Sequence, residues 1–444
     1  MKIGVISLGC AKNLVDSEVM LGHLGRAGCE FVQDPADADV ILVNTCSFID
    51  AAREESVETI LEAAELKKTG RLKRLVVAGC MVQRYPGELS DSLPEVDAFL
   101  GLDELDQVVA GAGLAPAAPV SDLPMLQPST HLYDENTPRD LATPPWTAYV
   151  KIAEGCDHTC SFCAIPAFRG KFRSRPTGSI VTEAAALAAR GVREISLIAQ
   201  DSSHYGRDLE LKEGLAALLT ELNDVEALRW IRLHYLYPNT ITPQLIETMA
   251  HLPRVVDYVD LPLQHAHPAM LKRMRRGGSS ESHLELLTQF RSAMPEGVLR
   301  STFIVGFPGE TDEEFEALLD FVRDVRFDHL GVFTYSHEES TPAHAVVDDV
   351  PGELKEERRE RLMGLQRGIA AAANQRRVGR TVEVLVEGAH PDTEHLLVGR
   401  TRGQALDVDG QVLINDGRAT PGSFVQVELT EVAGYDLVGR VVGA

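Results

Sequence analysis

The chain has 444 residues, 44% hydrophobic and 25% charged, which is enough for two or three domains with substantial cores and argues against disorder. A formal net charge of −23 speaks against a broad nucleic-acid surface, which needs lysine and arginine to displace counterions, and suits a basic partner. The start, Met-Lys-Ile-Gly-Val-Ile-Ser, is too short an apolar run for a signal peptide, and no run approaches a membrane span; no membrane association and a cytoplasmic location are expected.

Residues 1–111 alternate strand and helix patterns, as in an α/β domain built on an open parallel sheet. Lys2–Ser7, Asp39–Thr45 and Arg74–Gly79 read as strands, and Cys10, Cys46 and Cys80 fall just past their ends. Helical stretches at Ser17–Leu24 and Phe48–Leu66 follow the first two. In an open parallel sheet such strand ends lie along one edge, so the three cysteines should converge. The plainer alternative is three unrelated buried cysteines acting as small hydrophobes. Cys29, at a helix end, is expected to be structural.

Residues 112–145 hold seven prolines, several alanines and no period, and read as a linker or an extended crossing segment. Residues 146–378 return to βα alternation. Six candidate strands follow: Thr147–Ala153, Glu194–Gln200, Trp230–Tyr237, Val255–Leu263, Leu299–Gly306 and His329–Ser336. Six βα units are two short of a closed eightfold barrel, so a partial (βα)6 barrel is expected, followed by a long helix over Glu353–Val378. Residues 379–444 hold five short alternating strands and read as a small five-stranded β-barrel.

The loop after the first barrel strand holds Cys156, Cys160 and Cys163, a C-x₃-C-x₂-C triplet with Phe162 before the last cysteine. Structural zinc takes four protein ligands, and an ordinary iron–sulfur cluster takes four cysteines. Three leave one iron open to a small molecule. A zinc site here would have to recruit a fourth ligand such as His158.

This spacing resembles the signature of the radical S-adenosylmethionine (SAM) enzymes, in which the open iron of a 4Fe-4S cluster binds SAM. Gly9-Cys10-Ala11-Lys12-Asn13, Asn44-Thr45-Cys46-Ser47-Phe48 and Gly79-Cys80-Met81 are similar to the three N-terminal cysteine motifs of the radical SAM methylthiotransferases. Residues 7–18, 44–56 and 263–268 look like the branch that modifies an aspartate of the twelfth small-subunit ribosomal protein. In the tRNA-modifying branch the first motif usually reads Gly-Cys-Gln-Met-Asn.

The resemblance covers nearly the whole chain and implies three parts: a second-cluster domain, a radical SAM core and a C-terminal TRAM barrel. It implies one 4Fe-4S cluster on Cys156, Cys160 and Cys163 that cleaves SAM to a radical. A second 4Fe-4S cluster on Cys10, Cys46 and Cys80 would hold the sulfur, with another SAM as methyl donor. It further implies an electron-donor protein, a basic ribosomal protein as substrate, and an N-terminal sheet edge facing the barrel mouth.

Other positions carry two readings each. Phe162 flanks the SAM adenine or simply packs. Gln200 and Asp201 bind the amino end of SAM, or Asp201 caps the next helix. Gly306, in Ile304-Val305-Gly306-Phe307-Pro308-Gly309-Glu310, lets backbone approach a ligand or forms a strand-to-helix turn with Thr311 as cap. Arg169, Lys171, Arg173 and Arg175 pair with carboxylates or form a solvated loop. His234, His265 and His267 receive no role.

Residues 379–444 carry five Lys and Arg against ten Asp and Glu, a balance of −5. A tRNA-binding barrel should be basic, so strong tRNA binding is not expected and a basic protein substrate is. The competing functions are tRNA adenosine methylthiolation by the same chemistry and a non-catalytic, zinc-stabilised binding module.

Overall fold

The computed structural model describes residues 1–116 and 127–442; the middle of the 112–145 linker thus lies outside the described residues. The first layer is a five-stranded parallel sheet of β1 (Lys2–Ser7), β2 (Glu30–Val32), β3 (Val40–Thr45), β4 (Arg74–Gly79) and β5 (Ala98–Leu100). Its order is β2-β1-β3-β4-β5. Strand β3 is buried at every position because it is central and covered on both faces, as its unbroken Val-Ile-Leu-Val run requires. The two edge strands are three residues each, too short to stand out as periodic segments. Helix Ala11–Arg26 follows β1 and helix Asp50–Thr69 follows β3.

The central unit contains six parallel strands: β6 (Thr147–Lys151), β9 (Glu194–Ile198), β10 (Trp230–Leu233), β11 (Tyr258–Asp260), β12 (Val298–Val305) and β13 (His329–Thr334). Between β6 and β9 a short antiparallel pair, β7 (Ala153–Glu154) with β8 (Arg173–Ser174), closes the neck of the loop that carries the cysteine triplet. The parallel strands form two ladders, β10-β9-β6 and β11-β12-β13. One bridge, Ile231 to Val255, joins them, so the sheet curves as a partial barrel rather than closing. The expected strands are all present, mostly shorter at their C-terminal ends, where the chain leaves the ladder to build the mouth.

Helix Gly352–Gln375 packs along β13 and against helix Asp312–Val325. It is anchored by the buried pair Arg358–Glu310 at 2.8 Å and covers the open edge of the partial barrel. The chain ends in a closed barrel of β14 (Thr381–His390), β15 (Thr393–Thr401), β16 (Val412–Asp416), β17 (Phe424–Ala433) and β18 (Asp436–Val441), ordered β14-β15-β16-β18-β17.

This small barrel sits on the floor of the central unit, at the N-terminal ends of its strands. Trp146, Trp230, Tyr258 and Val298 pack against Leu385, Ala405 and Phe424. The stretch Arg402–Asp409 plugs the floor: Arg232 donates to the Arg402 carbonyl at 2.9 Å, and Tyr258 donates its hydroxyl to Asp409 at 2.7 Å. Arg400 reaches Glu194 at 2.6 Å. Asp409 is therefore an interface residue, and part of the barrel's acidic surplus is used in docking rather than shown to solvent. Residues 127–145 strap the first helix to the central unit, with Arg139 bonded to both Glu18 and Glu183. No described helix is long and apolar enough to cross a membrane.

Candidate functional site

Cys10 caps helix Ala11–Arg26, Cys46 follows β3, and Cys80 opens the helix after β4. Because β1, β3 and β4 are adjacent and parallel, the three cysteines line one edge of the sheet. Gly9, at φ +87°, faces Cys46 so closely that a Cβ there would stand 2.9 Å from its Sγ; only glycine permits this turn. Two asparagines knit the loops. Asn13 donates to the Leu8 and Thr45 carbonyls, at 3.1 and 2.8 Å, and Asn44 donates to the Asn13 carbonyl at 2.7 Å. Burial pushes the Cys80 thiol up to about 12. Burial pushes Cys10 the same way, but Lys12, Arg169 and the N–H groups of Asn13 and Lys12 outweigh it and hold this thiol below its ordinary value.

The second triplet lies in the neck-closed loop at the barrel mouth. Cys156 donates its N–H to the Gly170 carbonyl at 3.0 Å, and Cys163 donates its N–H to the Cys160 carbonyl at 3.2 Å. Arg276 points at Cys160 Sγ from 3.7 Å. Burial pushes Cys156 and Cys163 up to about 12, so protons on these thiols would have to be replaced by metal for the sulfurs to carry charge. His158 does not turn to the cysteines: it lies 2.6 Å from Asp201 and stacks on Tyr237. Among the described residues, no group of three or more His, Cys, Asp or Glu side chains is drawn together as a single metal ion demands. A four-iron cluster spreads its thiolates wider than one ion does. The three-thiol set with a nearby guanidinium fits such a cluster, and the zinc reading loses its fourth ligand.

Between the two triplets runs a buried ionic cage. Arg169 donates to Glu154 at 2.9 Å, to Asp16 at 3.0 Å, to Asn13 Oδ1 at 2.7 Å and to Cys80 Sγ at 3.1 Å. Lys151 bonds Asp16, and Glu154 at 2.8 Å. Two cations thus face two carboxylates, one of them from the N-terminal domain. Burial would raise the Glu154 carboxyl, but Arg169 and Lys151 prevail and hold it well below the usual range. On the far side, Arg84 joins the Ser47 carbonyl at 2.6 Å and Glu338 at 3.2 Å, so the sheet edge is fastened over the barrel mouth at two places.

Of the expected basic run, Arg169 and Arg175 are buried and paired, Arg173 bonds backbone carbonyls, and Lys171 is exposed. Phe162 packs in an apolar cluster with Phe307 and Ile304. Gln200 donates to Glu154, while its Oε1 is buried without a partner. Asp201 accepts from Ser203 Oγ at 2.6 Å and from His204 N–H, as a cap does. Gly306, at φ +72°, is overlain by Lys355, whose Cγ would be 2.3 Å from an added Cβ, and Thr311 caps the next helix. His265 pairs with Glu310 at 3.0 Å in the core. The cage residues Asp16, Lys151 and Glu154 were not singled out in the sequence. The one local signal was a pair of opposite charges, Lys151 and Glu154, three residues apart at the C-terminal end of an otherwise apolar strand.

A partial parallel barrel with a three-cysteine loop at its mouth defines a radical SAM enzyme. The family described as radical SAM superfamily matches residues 150–322, an uncharacterized protein family, UPF0004, matches residues 2–101, and the TRAM domain family matches residues 378–442. The fold is shared with the radical SAM methyltransferase TsrM from Kitasatospora setae, at a TM-score of 0.55 and 16% identity over 77% of this chain and 76% of that one. The chain is 52% identical to ribosomal protein uS12 methylthiotransferase RimO of Anaeromyxobacter sp. (strain K), over 98% of this chain and 92% of that protein. It is 51% identical to the RimO of Myxococcus xanthus, over 99% and 91%. The chain belongs to the RimO family of radical SAM methylthiotransferases, enzymes that use SAM and a 4Fe-4S cluster.

Proposed function

We propose that this enzyme methylthiolates the β-carbon of an aspartate in ribosomal protein uS12, the substrate named for its relatives. One arrangement carries the reading: Arg169, from the loop that holds the second triplet, reaches Cys80 of the first and Glu154 at that loop's neck. Cys156, Cys160 and Cys163 hold the SAM-binding 4Fe-4S cluster, and Cys10, Cys46 and Cys80 hold a second one. The clusters and SAM together supply a radical strong enough to take hydrogen from an unactivated carbon, a sulfur atom and a methyl group.

The chain's own residues do the rest. Arg169, Lys151, Asp16 and Glu154 fix the distance between the two sites and keep water out of the gap. Arg276 offsets charge at Cys160. Phe162 offers an aromatic face for the adenine, and Gln200 a free acceptor for a polar group of SAM. Asp201 orients His158 beside the triplet, and Gly306 makes room for Lys355 under the same wall. The working units are 1–111, 112–145, 146–378 and 379–444, in a cytoplasmic enzyme supplied by an electron-donor protein, with a surface unsuited to tRNA.

The test is anaerobic reconstitution with iron and sulfide, incubation with SAM, a reductant and either purified uS12 or tRNA, and mass spectrometry of each product. A methylthio group on one aspartate is expected. Unmodified uS12 together with methylthiolated tRNA adenosine would overturn the substrate assignment.

A further inference from the structure

Among the described residues nine lysines and arginines are buried as whole residues, and eight of them hold a carboxylate in an ion pair. The ninth is Lys12. It is 7% exposed, yet its ammonium has no hydrogen bond and no ion pair among the described residues. An ammonium with no partner and little water around it is unfavourable. What holds it is the face of Tyr235, whose ring centroid lies 2.9 Å from Nζ.

Tyr235 is itself strained into place. It follows β10 at φ +60°, a region that tyrosine rarely enters. Its backbone is pinned there: the N–H donates to Asp260 at 3.1 Å, and the carbonyl accepts from Ser202 at 3.0 Å. This turn aims the ring from the barrel mouth toward the N-terminal domain. Lys12 comes from the opposite side, two residues after Cys10. The nearby carboxylates are already taken, Asp260 by Arg300 at 2.7 Å and Glu154 by Arg169 and Lys151. The free cation therefore stands beside Cys10, over a tyrosine of the barrel mouth, where the sheet edge meets the central unit.

We infer that Lys12 binds the side-chain carboxylate of the substrate aspartate. This rests on the function proposed above. That carboxylate is bonded directly to the β-carbon, so a cation that holds it also sets the position of the carbon to be modified. A compact ammonium suits a single carboxylate approaching over an aromatic face, and it replaces the missing partner that every other buried cation in the molecule has. Lys12 is then a specificity-determining residue: it favours a carboxylate-bearing side chain and disfavours neutral ones of equal shape.

The experiment measures binding by fluorescence anisotropy on the iron-loaded enzyme. The probes are labelled uS12 and the same protein with its modified aspartate, located by the mass spectrometry above, changed to asparagine. Wild-type enzyme should bind the aspartate form at least tenfold more tightly. In Lys12→Met, close in volume but uncharged, the preference should collapse to about twofold or less, with the aspartate form weakened and the asparagine form little changed. Lys12→Gln is measured in parallel, and the variant that loads iron as the wild type does decides the result. Equal binding of both forms by the wild type overturns the inference without any variant, as does an iron-loaded variant that keeps the preference. Failure of the wild type to modify uS12 at all would instead sink the proposed function.

Discussion

Arg169 Nη2 stands 3.1 Å from Cys80 Sγ, and the same guanidinium bonds Glu154 at 2.9 Å. One side chain of the triplet loop thus reaches a thiol of the N-terminal sheet and a carboxylate of the barrel together. Arg169→Met would leave Asp16 and Glu154 with Lys151 as their one remaining cation. Breaking a buried pair this way costs about 3–5 kcal/mol. The variant should lose that much in urea unfolding, and the iron that remains should fall mainly at the Cys10, Cys46 and Cys80 site. Arg169→Lys, which keeps charge but not the fork, should lose less. Unchanged stability and iron content would mean that the contact has no role in docking.

Two cysteine sites predict two clusters per chain. Iron and sulfide in anaerobically purified protein should approach twice the amount for one four-iron cluster. Replacing Cys156, Cys160 and Cys163 together by alanine should leave half. Stoichiometric zinc without iron would count decisively against this.

The two sites should have separable work. Cys10→Ala removes a thiol from the sheet edge and none from the barrel loop. SAM cleavage to 5′-deoxyadenosine should persist, while methylthiolation of uS12 stops. Loss of both activities in this variant would show that the sites do not divide the labour.

The small barrel lies on the floor of the central unit, away from the mouth, so its acids act on docking of the substrate protein rather than on the reacting groups. Asp392 and Glu394 are exposed on it, whereas Asp409 is buried against Tyr258. Reversing both exposed charges to lysine should slow association with uS12 in stopped flow and flatten its salt dependence, since exposed charges are screened beyond about 8 Å at physiological salt. An unchanged on-rate would place the docking surface elsewhere.

His283 is buried with neither ring nitrogen bonded, and burial, helped by Arg276, lowers it to about 4 from an ordinary 6.5. The folded state resists the proton, so this contribution to stability is complete above pH 6.5 and is lost as pH falls toward 4. The loss is on the order of 3 kcal/mol. Across that window the stability of wild type minus that of His283→Gln, from urea midpoints, should fall by about that amount on acidification. A constant difference would mean that His283 does not titrate there.

Much of this protein is local in origin and therefore readable in order along the chain. Strand patterns at Lys2–Ser7 and Arg74–Gly79, and cysteines one to three residues beyond strand ends, depend on neighbours within a few residues. Parallel topology then forces Cys10, Cys46 and Cys80 together, because adjacent parallel strands end on the same side. The C-x₃-C-x₂-C loop and the six βα units are local in the same sense.

The pairing of charges is not local. Arg169 could equally have been a solvated loop residue, and its partners Asp16 and Glu154 lie 153 and 15 residues away. Only the docking of one domain on another decides which carboxylate a guanidinium meets and whether water remains between them. The same holds for Asp409, acidic in composition but buried at an interface, and for Asp201, whose carboxylate is taken by His158 and a helix cap. Lys12 is the clearest case. Its sequence neighbours mark a cysteine motif, but that its ammonium is buried, unpaired and set on a strained tyrosine follows from two surfaces meeting, since burial and partner choice are properties of packed elements and not of the chain that supplies them.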